Sequence, residues 1–119
     1  MDDFVKVFVT EDWIHVTFYI EHENILRIGD KMNEINEEAY MNGYNWEAFL
    51  NYYLEKNAPE LLEGMDSDPE AGLYAAYYEV SPENEEKAKR FGEIIEYLVK
   101  NEDELYQIVR EHGNQIEWD

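Results

Sequence analysis

The sequence predicts an α+β domain, a small antiparallel sheet packed with about four helices in the order β-β-α-α-β-α-α. Three observations carry this. Residues 4–10 and 13–20 alternate apolar and polar positions on either side of Glu11-Asp12. Beyond about Arg27 the apolar spacing lengthens to three and four, and one short aromatic run, residues 73–80, interrupts the helical part. Strands gathered apart from helices in this way define the class.

The first two runs, rich in Val, Phe and Ile, read as a hairpin. Ile14, Val16, Phe18 and Ile20 share one face of the second strand, and Trp13, His15, Thr17 and Tyr19 form a half-polar, partly covered opposite face. Ile28, Met32, Ile35, Ala39 and Tyr40 then mark a helix stopped by Asn42-Gly43. Asn45 is the expected N-cap of a second helix, whose buried face carries Trp46, Phe49, Leu50, Tyr53 and Leu54. Ala58-Pro59 interrupts it, since a residue before proline avoids helical geometry. Residues 65–72 form a turn-rich connection into the third strand.

Ser81-Pro82 opens the longest helix, with a serine cap, proline at the first helical position and acids in the first turn. Its stripe is Ala88, Phe91, Ile95 and Leu98, and Glu83/Lys87, Glu85/Lys89 and Glu86/Arg90 stand four apart with the acid first. Asn101 with Glu104 three residues later suggests a capping box for the last helix, which ends at His112-Gly113. Trp118 in the tail is a candidate for packing back on the domain.

Length and charge set the function classes. A chain of 119 residues fits one domain, 1–119, and at this size hides roughly two thirds of its unfolded surface. Its hydrophobic content, 45%, is too high for a disordered acidic tail. With 29 acidic residues against 9 Lys and Arg the net charge is -20. Such a field repels nucleic acid and anionic lipid, so neither is an expected partner, and it attracts basic proteins; keeping the chain dissolved is the plainer use of the same charge. There is no cysteine, hence no disulfide and no thiolate chemistry. The opening MDDFVKVFVT lacks a basic stretch followed by an apolar run, and no segment approaches the roughly 18 apolar residues of a membrane span, so a cytoplasmic protein is expected.

Little catalytic chemistry is legible. Asp66-Ser67-Asp68-Pro69-Glu70 begins like a calcium loop, but the places for its glycine and final glutamate hold Ala71 and Tyr77. Glu21-His22-Glu23 matches no zinc spacing and reads as a solvated loop. His15 on a strand and His112 at a helix end, where an imidazolium suits the dipole, have structural readings. No nucleophile elbow or glycine-rich phosphate loop is present, and a carboxylate pair among so many acids carries no weight. No metal, no cofactor and no enzyme activity are expected. Ten tyrosines, however, exceed what a small core easily satisfies, because each buried hydroxyl needs a partner. Tyr44, Tyr52, Tyr74, Tyr77 and Tyr78 therefore suggest a surface of amphipathic rings beside acids, suited to a basic protein.

Two motifs in order are more specific. Asn42-Gly43-Tyr44-Asn45-Trp46-Glu47-Ala48, with Ala58-Pro59-Glu60-Leu61 downstream, and the run from Asp68-Pro69-Glu70-Ala71-Gly72 into Leu73-Tyr74-Ala75-Ala76-Tyr77 resemble the bacterial immunity-protein family numbered fifty-one, immunity protein 51. The resemblance is close over residues 41–78 and holds only in kind for the flanks. It implies a small cytoplasmic protein, not an enzyme, that binds and neutralises a polymorphic or contact-dependent toxin domain. Gly43, Trp46 and Gly72 read as structural, leaving Tyr44, Asp68, Glu70 and Tyr77 as the candidate partner contacts. The charge suits a basic toxin such as a nuclease. The alternative is an acidic adaptor or nucleic-acid mimic that binds a basic host protein.

Overall fold

The computed structural model describes residues 3–118. Strands β1 (Val5–Val9), β2 (Trp13–Phe18), β3 (Asp66–Ser67) and β4 (Tyr74–Glu79) form one antiparallel sheet in the order β1-β2-β4-β3. The hairpin closes where the Thr10 amide donates to the Trp13 carbonyl at 2.8 Å. Both hairpin strands are slightly shorter than the alternation suggested, and β3 was not foreseen. Two residues are too few to show a period, and only the pairing of Asp66 with Tyr77 and Ser67 with Ala76 makes them a strand.

Helix α1 (Glu23–Ile35) begins and ends earlier than the apolar spacing suggested. Its cap is His22, whose Nδ1 accepts from the Asn24 amide at 3.2 Å, so Glu21-His22-Glu23 is a helix start rather than a free loop. The far end unwinds because asparagines compete for the backbone. Asn36 Oδ1 accepts from the Glu38 amide, and Asn33 Nδ2 donates to the carbonyls of Glu37 and Ala39. Ala39 is still buried, but Tyr40 is exposed and Met41 takes a left-handed φ of 53°.

Helix α2 (Gly43–Asn57) is capped by Asn42, not Asn45; Asn42 Oδ1 accepts from the Asn45 amide at 3.0 Å. Asn45 is instead buried, donating through Nδ2 to the Trp118 carbonyl, which fixes the returning tail. A single 3₁₀ turn (Pro59–Leu62) leads to β3. Helix α3 (Pro82–Lys100) has the expected serine cap, Ser81 Oγ accepting from the Asn84 amide at 3.0 Å. Glu83–Lys87 closes at 3.9 Å, whereas Arg90 reaches Glu60 at 2.9 Å and ties α3 to the 3₁₀ turn. Asn101 does precede α4 (Glu102–His112), but its side chain donates back to the Tyr97 carbonyl at 2.8 Å and closes α3. No side-chain capping box forms there.

Helices α2 and α3 cover the buried face of the sheet. Helix α3 packs on β1, β2 and β4, α2 on β4, and α1 pairs with α4. Ile14, Val16 and Phe18 of β2 and Tyr74, Ala76 and Tyr78 of β4 meet the stripes of α2 and α3. Trp46 sits edge-on to Phe18 at 4.9 Å and to Phe49 at 6.0 Å. Burying each such side chain contributes about 1.5–3 kcal/mol, which is why the aromatic stripe of α2 is core. Across α1 and α4, Arg27 grips both oxygens of Glu102 at 2.8 and 2.9 Å, and Tyr106 donates to the same carboxylate. The Arg27 hydrogen bonds hold the Glu102 carboxyl below its usual range. The tail folds back, with Trp118 buried and its indole donating to the Gly113 carbonyl at 3.0 Å.

Candidate partner-binding surface

Because the helices cover one face of the sheet, the other presents whatever the alternate positions carry. In register across the four strands these are Phe8, His15, Tyr77 and Asp66. Phe8 stacks on His15 with centroids 4.6 Å apart, and Tyr77 stands edge-on to His15 at 5.0 Å. Trp13, two residues along β2, is edge-on to Tyr77 at 6.5 Å. Phe8 and Trp13 are 42% and 40% exposed, so this row is an open aromatic surface rather than a second core. Thr10 Oγ1 lies 3.1 Å from His15 Nε2 and holds the imidazole in the row. Glu79, opposite Trp13, and Asp66 place carboxylates at the rim; Lys6 folds over Tyr19 at 5.8 Å. Asp68 extends the β3 pairing, its amide donating to the Ala75 carbonyl at 2.9 Å, which by alternation puts its side chain on this same face.

The turn after Asp68 rounds the β3 edge. Glu70 and Leu73 bridge, and the Gly43 amide donates to the Ala71 carbonyl at 3.2 Å. The two distinctive motifs therefore touch, and Tyr44 emerges beside the turn at the start of α2. There it is 44% exposed and lines a cleft of about 360 Å³ with Glu47, Tyr52, Glu55 and Glu117. Glu47 is steadied by the Ser67 hydroxyl, which donates to it from the inward side of β3. Asp68 and Tyr77 thus share the open sheet face, Glu70 is exposed on the turn, and Tyr44 opens onto the cleft beyond it.

Sequence reasoning missed Phe8, Trp13, His15 and Asp66 as parts of one row. Alternation placed Trp13 and His15 on the less apolar face of β2, but only strand order brings Phe8 and Tyr77 to either side of them. Two tyrosines were misjudged as surface rings: Tyr74 and Tyr78 are fully buried. Tyr78 donates to the Leu61 carbonyl at 2.6 Å, and burial pushes its hydroxyl up to about 12. Tyr74 has no hydrogen-bond partner for its hydroxyl, and burial, then the nearby Glu47 carboxylate, pushes it upward as well. Among the described residues no cluster of three His, Asp or Glu side chains suits a metal, and no helix is long and apolar enough to cross a membrane. Asp66-Ser67 is strand, and Asp68 continues its pairing with β4.

Aromatic side chains inside a polar rim are the composition enriched in protein–protein interfaces, and this sheet face carries both. The family model of immunity protein 51 matches residues 6–114, and the chain belongs to that family. No curated protein and no solved structure matches it significantly. Membership points to a toxin-neutralising role with a cognate toxin as partner, in a family that is generally non-catalytic.

Proposed function

We propose that this protein binds and neutralises a cognate toxin domain in the cytoplasm, without catalysis of its own, and that the toxin's contact surface is basic. The observation that carries the reading is the family match over residues 6–114 together with a net charge of -20. The docking surface is the open sheet face at Tyr77 and Asp68, continued round the β3 edge through Glu70 to Tyr44. Inhibition follows from occupancy: carboxylates seated on a basic active site stand where substrate phosphates would, as a nuclease would require. Aromatic rings supply the holding energy and acids the encounter rate.

The test is co-expression with the reading frame that neighbours this gene, which on this reading encodes the toxin. Wild type should rescue cells that produce its C-terminal domain and should co-purify with that domain. No binding to that product, alongside capture of a basic host protein, would instead favour an acidic adaptor.

A further inference from the structure

We propose that the notch between Trp13, Tyr77 and Asp66 on the open sheet face receives an arginine side chain of the partner; this rests on the toxin-binding reading above. The notch, of about 220 Å³, is lined by these three residues. Its two rings meet at 73°, forming an aromatic corner, and Asp66, in register opposite Tyr77, places a carboxylate beside it. Arg27, Lys87, Arg90 and Lys100 pair with acids other than Asp66, and His22 lies against Asp3.

Ring faces and a carboxylate together are complementary to a flat cation. A guanidinium stacks on aromatic faces, donates in a fork to a carboxylate, and is weakly enough hydrated to enter an apolar-walled site. A lysine ammonium is more strongly hydrated and offers no plane to stack. An anionic occupant would face the Asp66 carboxylate with no counter-charge, and a neutral one would displace its water without replacing the lost interaction. The charge of the whole chain favours the same cationic occupant.

The probe is the peptide acetyl-Gly-Arg-Gly-amide, titrated at millimolar concentration into the labelled protein and followed by proton–nitrogen NMR. The indole signal of Trp13 should shift, while those of Trp46 and Trp118, both buried, stay in place. The citrulline peptide, equal in shape but uncharged, should leave Trp13 unmoved, and Asp66→Asn should abolish the arginine response. With the purified toxin domain, Asp66→Asn and Trp13→Ala should each weaken binding by on the order of tenfold, mainly by faster dissociation. An equal response to citrulline, or no response at Trp13, overturns the assignment. So do Trp13 shifts that arise on concentrating the protein alone, which would give the notch to a second copy. If wild type binds the toxin and Asp66→Asn binds equally well, the notch is wrong and the toxin-binding reading stands. If wild type does not bind the toxin, that reading fails, and the peptide titration still judges the notch.

Discussion

The backbone amide of Gly43 donates to the carbonyl of Ala71 across 3.2 Å, joining the start of α2 to the turn before β4. A Cβ at position 43 would fall 1.8 Å from the Glu70 carbonyl oxygen and 2.3 Å from that of Leu73. Both obstacles are backbone, which cannot swing aside as a side chain would. Gly43→Ala therefore should destabilise the fold by about 1–3 kcal/mol or more, despite alanine's better helix propensity. Gly64 is the comparison: it has open space but a φ of +77°, so Gly64→Ala carries only the backbone penalty, about 1 kcal/mol. Urea melts of the two variants should separate them, and a Gly43→Ala protein as stable as wild type would show that the contact relaxes freely.

Tyr74 and Tyr78 lie on the same buried face of β4, but only Tyr78 has a partner for its hydroxyl. Tyr78→Phe removes its bond to the Leu61 carbonyl and leaves that acceptor dry, so a loss of about 1–3 kcal/mol is expected. Tyr74→Phe removes a buried donor that bonds to nothing and should be neutral or stabilising. Matched denaturation curves decide; equal losses for both would mean that Tyr74 holds a bridging water.

Alkali should weaken the fold through its buried phenols. Burial pushes Tyr78 up to about 12, and burial followed by the Glu102 charge pushes Tyr106 to about 12, from an ordinary value near 10. A raised folded pKa means the folded state keeps its proton longer than the unfolded chain. The associated stability is whole below about pH 10 and is lost as pH rises towards and through 12. Other changes also accompany alkali, so the informative quantity is a difference between variants. Between pH 9 and 12 the melting midpoint of Tyr106→Phe should fall less steeply than that of wild type, and parallel curves would place Tyr106 in water.

How much of this was legible beforehand depended on the range of the interaction. Strand type, the core stripes of α2 and α3, and the cap at Ser81 follow from residues close in sequence, and all were readable. The cap of α2 was misread because Asn42 and Asn45 both suit the position; what selects Asn42 is the fit of Gly43 under a turn some thirty residues away, and Asn45 is claimed by Trp118. Helix α1 was extended too far because Ala39 keeps the helical spacing while Asn33 and Asn36 turn the backbone. The surface row was hidden for the same reason as β3: Phe8, His15, Tyr77 and Asp66 become neighbours only when four strands are ordered. Tyr74 and Tyr77 are three residues apart in one aromatic run, and pleat alone decides that one is core and the other outward.

Salt should raise stability at neutral pH. With 29 acids against 9 Lys and Arg, repulsions outnumber attractions on so small a surface. Screening at about 0.15 M, where the Debye length is about 8 Å, weakens both. The exposed pair Arg90–Glu60 is itself open to solvent and weak, so its screening does not offset the relief of the net repulsion. Thermal midpoints from low ionic strength to 0.15 M should therefore climb, and a fall would mean that local pairs outweigh the net field.

The last expectation separates speed from grip at the toxin interface. Glu70 is exposed on the turn and, on the proposed reading, belongs to the field that draws a basic partner in, so Glu70→Lys should slow association and flatten its salt dependence while dissociation changes little. Tyr77 stands at the centre of the aromatic row, against His15 and Trp13, the place where the proposed docking surface would have its anchor. Tyr77→Ala should speed dissociation, with a loss of on the order of 2 kcal/mol or more if the ring is fully covered. Tyr44→Ala, at the far end of the same surface, should show the smaller effect of a peripheral contact. Trp46→Ala is the control, because its ring is core: stability should drop by roughly 3–5 kcal/mol, with binding reduced only in proportion to the unfolded fraction. Surface plasmon resonance against the toxin domain resolves the two rates. A folded Tyr44/Tyr77 double variant with unchanged affinity and full protection would move the docking site off this surface altogether.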